Sequence, residues 1–343
     1  MGRGSRFAGM ALGGLLAACS GSDGGGDGAG LVPAPGPAPT QVCMDTLSDN
    51  PWLQRRPLNI AHAGGNLEFP DNTLFAYEKA LQVGAHMLEM DIWQTADGEL
   101  VVIHDGTVDR TTNGSGAVPE MTLAELKALD AAHNWVPDRG IDHNASDAEA
   151  VYRGVAAGTR PPPSGFTPND FTIPTVREVL ERFPNTLMNI ELKQDRDNTG
   201  EFEANLAALL NEYGRGEDVV VASFADDIMF RYKRASRCSA SSLPLGQVAL
   251  FVIGGLGPLP GIALGSHQAF QVPINYEGIP IVTPDFVDDA HRRGIAVQVW
   301  TIDDCPTMES LLAQGVDGIM TNRPSTLNYL LREGHCPGAS PAN

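Results

Sequence analysis

Short apolar runs rich in Val, Ile and Leu recur from Leu58 to Thr321, and stretches with helical spacing fall between them. Few architectures accept this alternation. Unbroken apolar runs are strands buried on both faces, and intervening helices return the chain to a parallel neighbour. The strand candidates are Leu58 to Ala61, Met87 to Ile92, Leu100 to Ile103, Leu187 to Leu192, Val219 to Phe224, Phe270 to Pro273, Ala296 to Ile302 and Gly318 to Thr321, eight in all. Eight is the number that closes a (β/α)8 barrel, so an α/β barrel is the expected fold class. Helices are expected over Thr73 to Val83, Leu123 to Leu129, Val176 to Arg182, Phe202 to Tyr213, Asp226 to Ala235, Pro284 to Arg293 and Pro306 to Gln314. Most are about three turns long, enough to cover a barrel strand.

Three stretches strain this scheme. Asp97-Gly98 joins the second and third candidates with no room for a crossover helix, which suits a hairpin. Gln247 to Ile253 is a ninth strand candidate without a place. The polar, Pro-rich stretch from about 130 to 169 is too long for a passive connector, and it is expected to be an insertion over one barrel face that forms part of a substrate mouth.

The first fifty or so of the 343 residues are not built like a globular domain. Arg3 and Arg6 precede an apolar run from Phe7 to Ala18 that is too short to span a bilayer and reads as an export signal, residues 1–18. The run ends in Leu16-Ala17-Ala18-Cys19, which resembles a bacterial lipobox. Cys19 is therefore expected to carry lipid, residues 19–42 to form a Gly- then Pro-rich tether, and residues 43–343 to form the barrel domain. That places the domain outside the cytoplasm, anchored to a membrane, on the periplasmic or cell-surface side. Without Cys19 an even number of cysteines remains in an exported chain: Cys43, Cys238, Cys305 and Cys336. Cys43 with Cys336 would tie the ends of the folded unit together, leaving Cys238 with Cys305. Free thiols are the alternative, and metal ligation is disfavoured because no short C-x-x-C spacing occurs.

The net charge of −19 argues against nucleic acid as the main ligand. An acidic enzyme acting on a phosphate ester would need a bound cation to offset its own field. Hydrophobic residues make up 42% of the chain, enough for a sizeable core.

Chemically useful residues gather at the ends of the apolar runs, where barrel enzymes place their sites. His62 follows the first run and His104 the third. Glu89 and Asp91 are two apart on one strand and so share a face, as do Glu191 and Lys193. Trp300 lies in the seventh. Three carboxylates suit a hard cation, Ca²⁺ or Mg²⁺, facing a small-molecule or lipid-derived phosphodiester. Two histidines beside it could serve as general base and general acid. Lys193 either faces the phosphate or pairs with Glu191 or Asp91, and Trp300 either lines the site or packs in the core. His133 and His143, in the insertion, read as surface residues.

These motifs, in order, closely resemble the glycerophosphodiester phosphodiesterases: His62-Ala63-Gly64-Gly65, Pro70-Asp71-Asn72-Thr73, Leu88-Glu89-Met90-Asp91, Val102-Ile103-His104-Asp105, Asn189-Ile190-Glu191-Leu192-Lys193, Val299-Trp300-Thr301 and Gly315-Val316-Asp317-Gly318. The resemblance runs from about residue 58 to about 330. It implies a TIM-type barrel, a divalent cation held by Glu89, Asp91 and Glu191, acid/base work by His62 and His104, a phosphate contact at Lys193 and a pocket wall at Trp300. The implied reaction is hydrolysis to glycerol 3-phosphate and an alcohol. Ala63 stands where the family usually has Arg, which removes a fork that grips two phosphate oxygens, and Asn322 stands in the usual Thr-Asp-Arg-Pro. Ala63 leaves two alternatives open, a phospholipase of D or C type acting on lysophospholipids and a non-catalytic lipoprotein on a degenerate barrel.

Overall fold

The computed structural model describes residues 50–338 apart from 56, 194–200, 237–238 and 255–266. The expected signal, Cys19, the tether, Cys43 and Cys238 lie outside the described residues.

Eight parallel strands form the barrel: β1 Leu58–Ala61, β2 Met87–Gln94, β3 Leu187–Leu192, β4 Val219–Ala222, β5 Ala240–Ser241, β6 Ala269–Val272, β7 Ala296–Val299 and β8 Gly318–Thr321. Neighbours pair in chain order from β1 to β5 and from β6 to β8, and β1 pairs β8 from Leu58↔Gly318 to Ala61↔Thr321. One parallel bridge, Ser242 to Ala269, joins β5 to β6 and closes the ring. Each strand is followed by a helix: α1 Leu74–Gln82, α2 Val176–Arg182, α3 Glu201–Glu212, α4 Asp226–Ala235, α5 Leu245–Gly254, α6 Pro284–Arg292, α7 Cys305–Ala313 and α8 Pro324–Glu333. Side-chain oxygens of Thr73, Thr175, Thr283 and Asp304 cap the N-termini of α1, α2, α6 and α7, satisfying amides that the helices cannot. Among the described residues no helix is long and apolar enough to cross a membrane.

The barrel count is eight, but one member differs from expectation. Leu100–Val102 is not a barrel strand; it pairs antiparallel with the far end of β2, Ile92 opposite Val102, around the Asp97-Gly98 turn. The missing member is β5, two residues long. The run from Gln247 to Ile253 belongs to helix α5. An apolar run of that length fits a buried strand or a helix equally by period, and here the helix packs on β6 through Val248 and Phe251 against Phe270.

Period-two alternation sorts each strand. On β2, Leu88, Met90 and Ile92 pack outward with Met188, Ile190 and Leu192 of β3 and with α2 and α3, while Met87 packs in the barrel with Ile60, Val220 and Ala296. Trp52, from the short helix Pro51–Gln54, joins that inner cluster and is fully buried. Above it, Gln271 of β6 reaches across the barrel and donates to Asn189 Oδ1 and Gln298 Oε1, each at 2.8 Å. The inner face of β2 ends in Glu89 and Asp91.

The insertion is folded rather than loose. Phe166, Tyr152 and Phe171 surround Phe75 of α1, with ring centroids 4.6–4.8 Å away. Its aromatic residues find a partner in α1, so it packs beside the barrel.

Candidate active site

A cavity of about 420 Å³ opens at the C-terminal end of the strands, lined by His62, Glu89, His104, Glu191, Lys193 and Trp300 among others. Among the described residues that line it, none comes from 130–169; the insertion meets the neighbouring rim, where Arg323 donates to Asp138 at 2.7 Å and Trp135 Nε1 to the Asn66 carbonyl at 2.7 Å.

The β2–β3 register sets Asp91 opposite Glu191 and Glu89 opposite Asn189. One carboxylate oxygen each from Glu89, Asp91 and Glu191 thus falls within 4.8 Å of the others. Burial, then the neighbouring Asp91 charge, pushes the Glu89 carboxyl well up, against a 2.6 Å hydrogen bond donated by the Ala63 backbone. Burial also raises Glu191, with Lys193 opposing it. Lys193 Nζ lies 2.9 Å from Glu191 Oε1 and 3.2 Å from Asp91 Oδ1. Burial disfavours its charge, but Asp91 and Glu191 outweigh that and hold the ammonium above the usual lysine range. Asp91 Oδ2 accepts from Asn72 Nδ2 at 3.2 Å, and Tyr77 orients Asn72 by donating to its Oδ1 at 2.7 Å. Asp91 Oδ1 is buried and accepts no hydrogen bond, the lysine beside it lacking the geometry. Three oxygen donors, one of them orphaned, fit a hard divalent cation.

The two histidines differ in what holds Nδ1. His104 Nδ1 meets Asp105 Oδ1 at 2.6 Å, and Arg110 binds the other oxygen of Asp105 while its own Nη1 reaches Asp71 at 3.0 Å. The bond to Asp105 raises the His104 pKa despite burial, and the same bond takes Asp105 down to about 2. His62 Nδ1 instead meets the Asn322 side-chain oxygen at 2.6 Å. Both rings line the cavity, where His104 Nε2 lies 3.4 Å from Lys193 Nζ.

Trp300 serves both expected purposes, packing under the barrel interior and lining the cavity. Its ring meets Phe224 edge-on at 5.4 Å, and Phe224 in turn lies 5.9 Å from Lys193 Nζ. Ala63 is 2% exposed at φ 48°, and Lys193 is the one lysine or arginine among the described lining residues. Sequence reasoning assigned no role to Asn72, Asp105, Arg110 or Phe224. Asn72 and Asp105 lie within quoted motifs, so the signal was present without a geometry to interpret it.

The disulfide pairing differs from expectation. Cys305, at the start of α7, bonds to Cys336, just past α8. Adjacent helices bring these two together, and Cys336 is therefore not available to Cys43, nor Cys305 to Cys238.

An acid-lined cavity with two histidines at the C-terminal rim of a (β/α)8 barrel suits phosphoric diester hydrolysis, and the relatives make that class explicit. The model of the glycerophosphoryl diester phosphodiesterase family matches residues 62–326. A glycerophosphodiester phosphodiesterase of Caldanaerobacter subterraneus is 33% identical over 279 residues, 81% of this chain and 98% of that protein. The glycerophosphodiester phosphodiesterase from Agrobacterium tumefaciens superposes with a TM-score of 0.56 at 24% identity, covering 78% of this chain and 98% of that one. An Oleispira antarctica phosphodiesterase, solved with the product sn-glycerol-3-phosphate, gives 0.60 at 23% identity over 82% and 99%. This chain belongs to the glycerophosphoryl diester phosphodiesterase family.

Proposed function

We propose that the protein hydrolyses glycerophosphodiesters to glycerol 3-phosphate and an alcohol, using a divalent cation and the two histidines. The observation that carries this is the meeting of Glu89, Asp91 and Glu191 within 4.8 Å in the cavity that His62 and His104 line. Those three carboxylates would hold Ca²⁺ or Mg²⁺, which when bound neutralises charge on the phosphodiester oxygens. His62, its Nδ1 occupied by Asn322, takes a proton from the attacking water at Nε2. His104, whose hold on its proton the bond to Asp105 strengthens, gives a proton to the leaving alcohol. Lys193 presents positive charge beside the phosphate, and Trp300 with Phe224 walls the substrate in.

A second reading, a phospholipase acting on lysophospholipids, draws support from one feature. Beyond the catalytic groups the cavity is walled by Phe224, Leu243, Leu245, Val248 and Val272, of which Phe224 and Leu245 stay exposed at 51% and 43%. A lipid anchor at Cys19, read from the sequence, would hold that wall near membrane lipids.

Turnover of glycerophosphocholine and of lysophosphatidylcholine, with and without EDTA, tests both. Release of glycerol 3-phosphate from the first that EDTA abolishes and Ca²⁺ or Mg²⁺ restores is the expected result. Cleavage of the lysophospholipid alone selects the second reading. Cation binding without turnover of either diester would defeat both.

A further inference from the structure

The second departure from the family pattern, Asn322, sits directly on a catalytic histidine. Its Oδ1 faces His62 Nδ1 at 2.6 Å, and its Nδ2 donates to Asp303 Oδ2 at 2.8 Å. Asp303 grips the same residue again, its Oδ1 accepting from the Asn322 backbone N–H at 2.8 Å and from Thr321 Oγ1 at 3.1 Å. An amide has two chemically different ends, and the carboxylate selects between them. Asp303 only accepts, so the end of Asn322 that faces it must be the NH₂. The end that faces His62 is then the carbonyl oxygen, which also only accepts. His62 Nδ1 must therefore carry a proton, and the neutral ring keeps its lone pair at Nε2.

We propose that Asp303 and Asn322 are positioning residues that lock His62 in the Nδ1–H tautomer, Asp303 acting through the amide it orients. This rests on the reading of His62 as the proton acceptor. It differs from the arrangement at His104, where Asp105 touches the ring directly. The carboxylate behind His62 stands one side chain further back, so it fixes the tautomer without placing a full negative charge against the ring.

The pair makes a prediction about exchange. With Asp303→Asn the new side-chain oxygen still accepts from Thr321 and the Asn322 backbone, so its NH₂ faces the Asn322 amide, which then turns its own NH₂ toward His62 and calls for the Nε2–H tautomer. Asn322→Asp sets two carboxylates against each other. Each single change should lower kcat about 10- to 100-fold with KM changed far less, as for other residues that orient a reacting ligand. The double variant D303N/N322D restores donor to acceptor at every step and should recover kcat to within about threefold of the parent, a coupling that independent sites would not show. Histidine-selective ¹⁵N NMR, with His62 assigned through His62→Gln, reads the tautomer directly: protonated Nδ1 and bare Nε2 in the parent and the double variant, lost in Asp303→Asn. Thermal melts establish that each variant is folded. A parent His62 protonated at Nε2, or a folded Asp303→Asn with kcat within about twofold of the parent, would overturn the inference while the requirement for His62 stood. Full turnover by His62→Ala would sink the acid/base reading itself, and this inference with it.

Discussion

Lys193 Nζ stands 3.2 Å from Asp91 Oδ1, an oxygen that is buried and accepts no hydrogen bond. The lysine is thus a counter-ion that leaves a donor position unfilled, in a cluster where three carboxylates repel each other. Lys193→Met removes the compensating charge and keeps most of the volume. Without divalent cation the variant should be about 2–3 kcal/mol less stable, the range for breaking a largely buried pair with some proton uptake by the acids. Added Ca²⁺ or Mg²⁺ should recover much of the loss by binding the folded state. Thermal unfolding with and without cation checks this, and equal melts of parent and variant in EDTA would refute it.

The hydrogen bond from His104 to Asp105 has a sign that pH can read. A folded pKa raised above the ordinary histidine value gives stability that is complete below that ordinary value and disappears as pH rises through the raised one. Asp105, held down to about 2, stays ionised throughout. Asp105→Asn removes the acceptor charge, so His104 loses its proton at lower pH. The alkaline limb of kcat should move to lower pH in this variant, and an unmoved limb would show that His104 is not the acid.

Cys305 and Cys336 close a loop with a sequence separation of 31. Loop-closure entropy makes that bond worth about 3–4 kcal/mol, so Cys305→Ser should lower the melting temperature markedly. Peptide mapping without reductant should recover the Cys305–Cys336 linkage, and finding Cys336 joined to Cys43 instead would contradict the structure.

Val248 of α5 lines the apolar wall and is 9% exposed. Leu245, at the start of α5, lines the same wall but is 43% exposed, so if an acyl chain lies along this wall, Leu245→Asp should cost at least about tenfold in kcat/KM for lysophosphatidylcholine, the value of one apolar side-chain contact. Glycerophosphocholine turnover should change by less than about threefold. Equal losses on both substrates would mean that the wall serves the glycerol end common to them.

The lipid anchor read from Leu16-Ala17-Ala18-Cys19 is tested by fractionation. Cys19→Ala should leave the protein out of the membrane fraction, and retention there would point to another means of attachment.

Much of this site is legible in the sequence because it is carried by strand ends. His62, Glu89, Asp91, His104, Glu191, Lys193 and Trp300 follow or lie in apolar runs, and the structure brings them to one end of the barrel. The hidden parts have particular reasons. The strand β5 is two residues of a serine-rich segment, and only its pairing with β4 and the bridge to β6 makes it a strand. Leu100–Val102 has a strand composition, but its tight turn commits it to β2 and keeps it out of the ring. The apolar run in α5 has no period to distinguish helix from buried strand. Asp303 gives no signal at all, since its importance lies in the orientation of one amide.

The sequence by itself determined the α/β alternation, the inward face of β2 that pairs Glu89 with Asp91, and the placement of histidines at strand ends. All three follow from side-chain periods that a few neighbouring residues express. Only the tertiary structure decided that Asp91 sits opposite Glu191, that Cys305 bonds to Cys336, and that Asp303 turns Asn322 toward His62. Those are contacts between separate elements, set by strand register and helix packing as the barrel closes, and no local pattern along the chain encodes them.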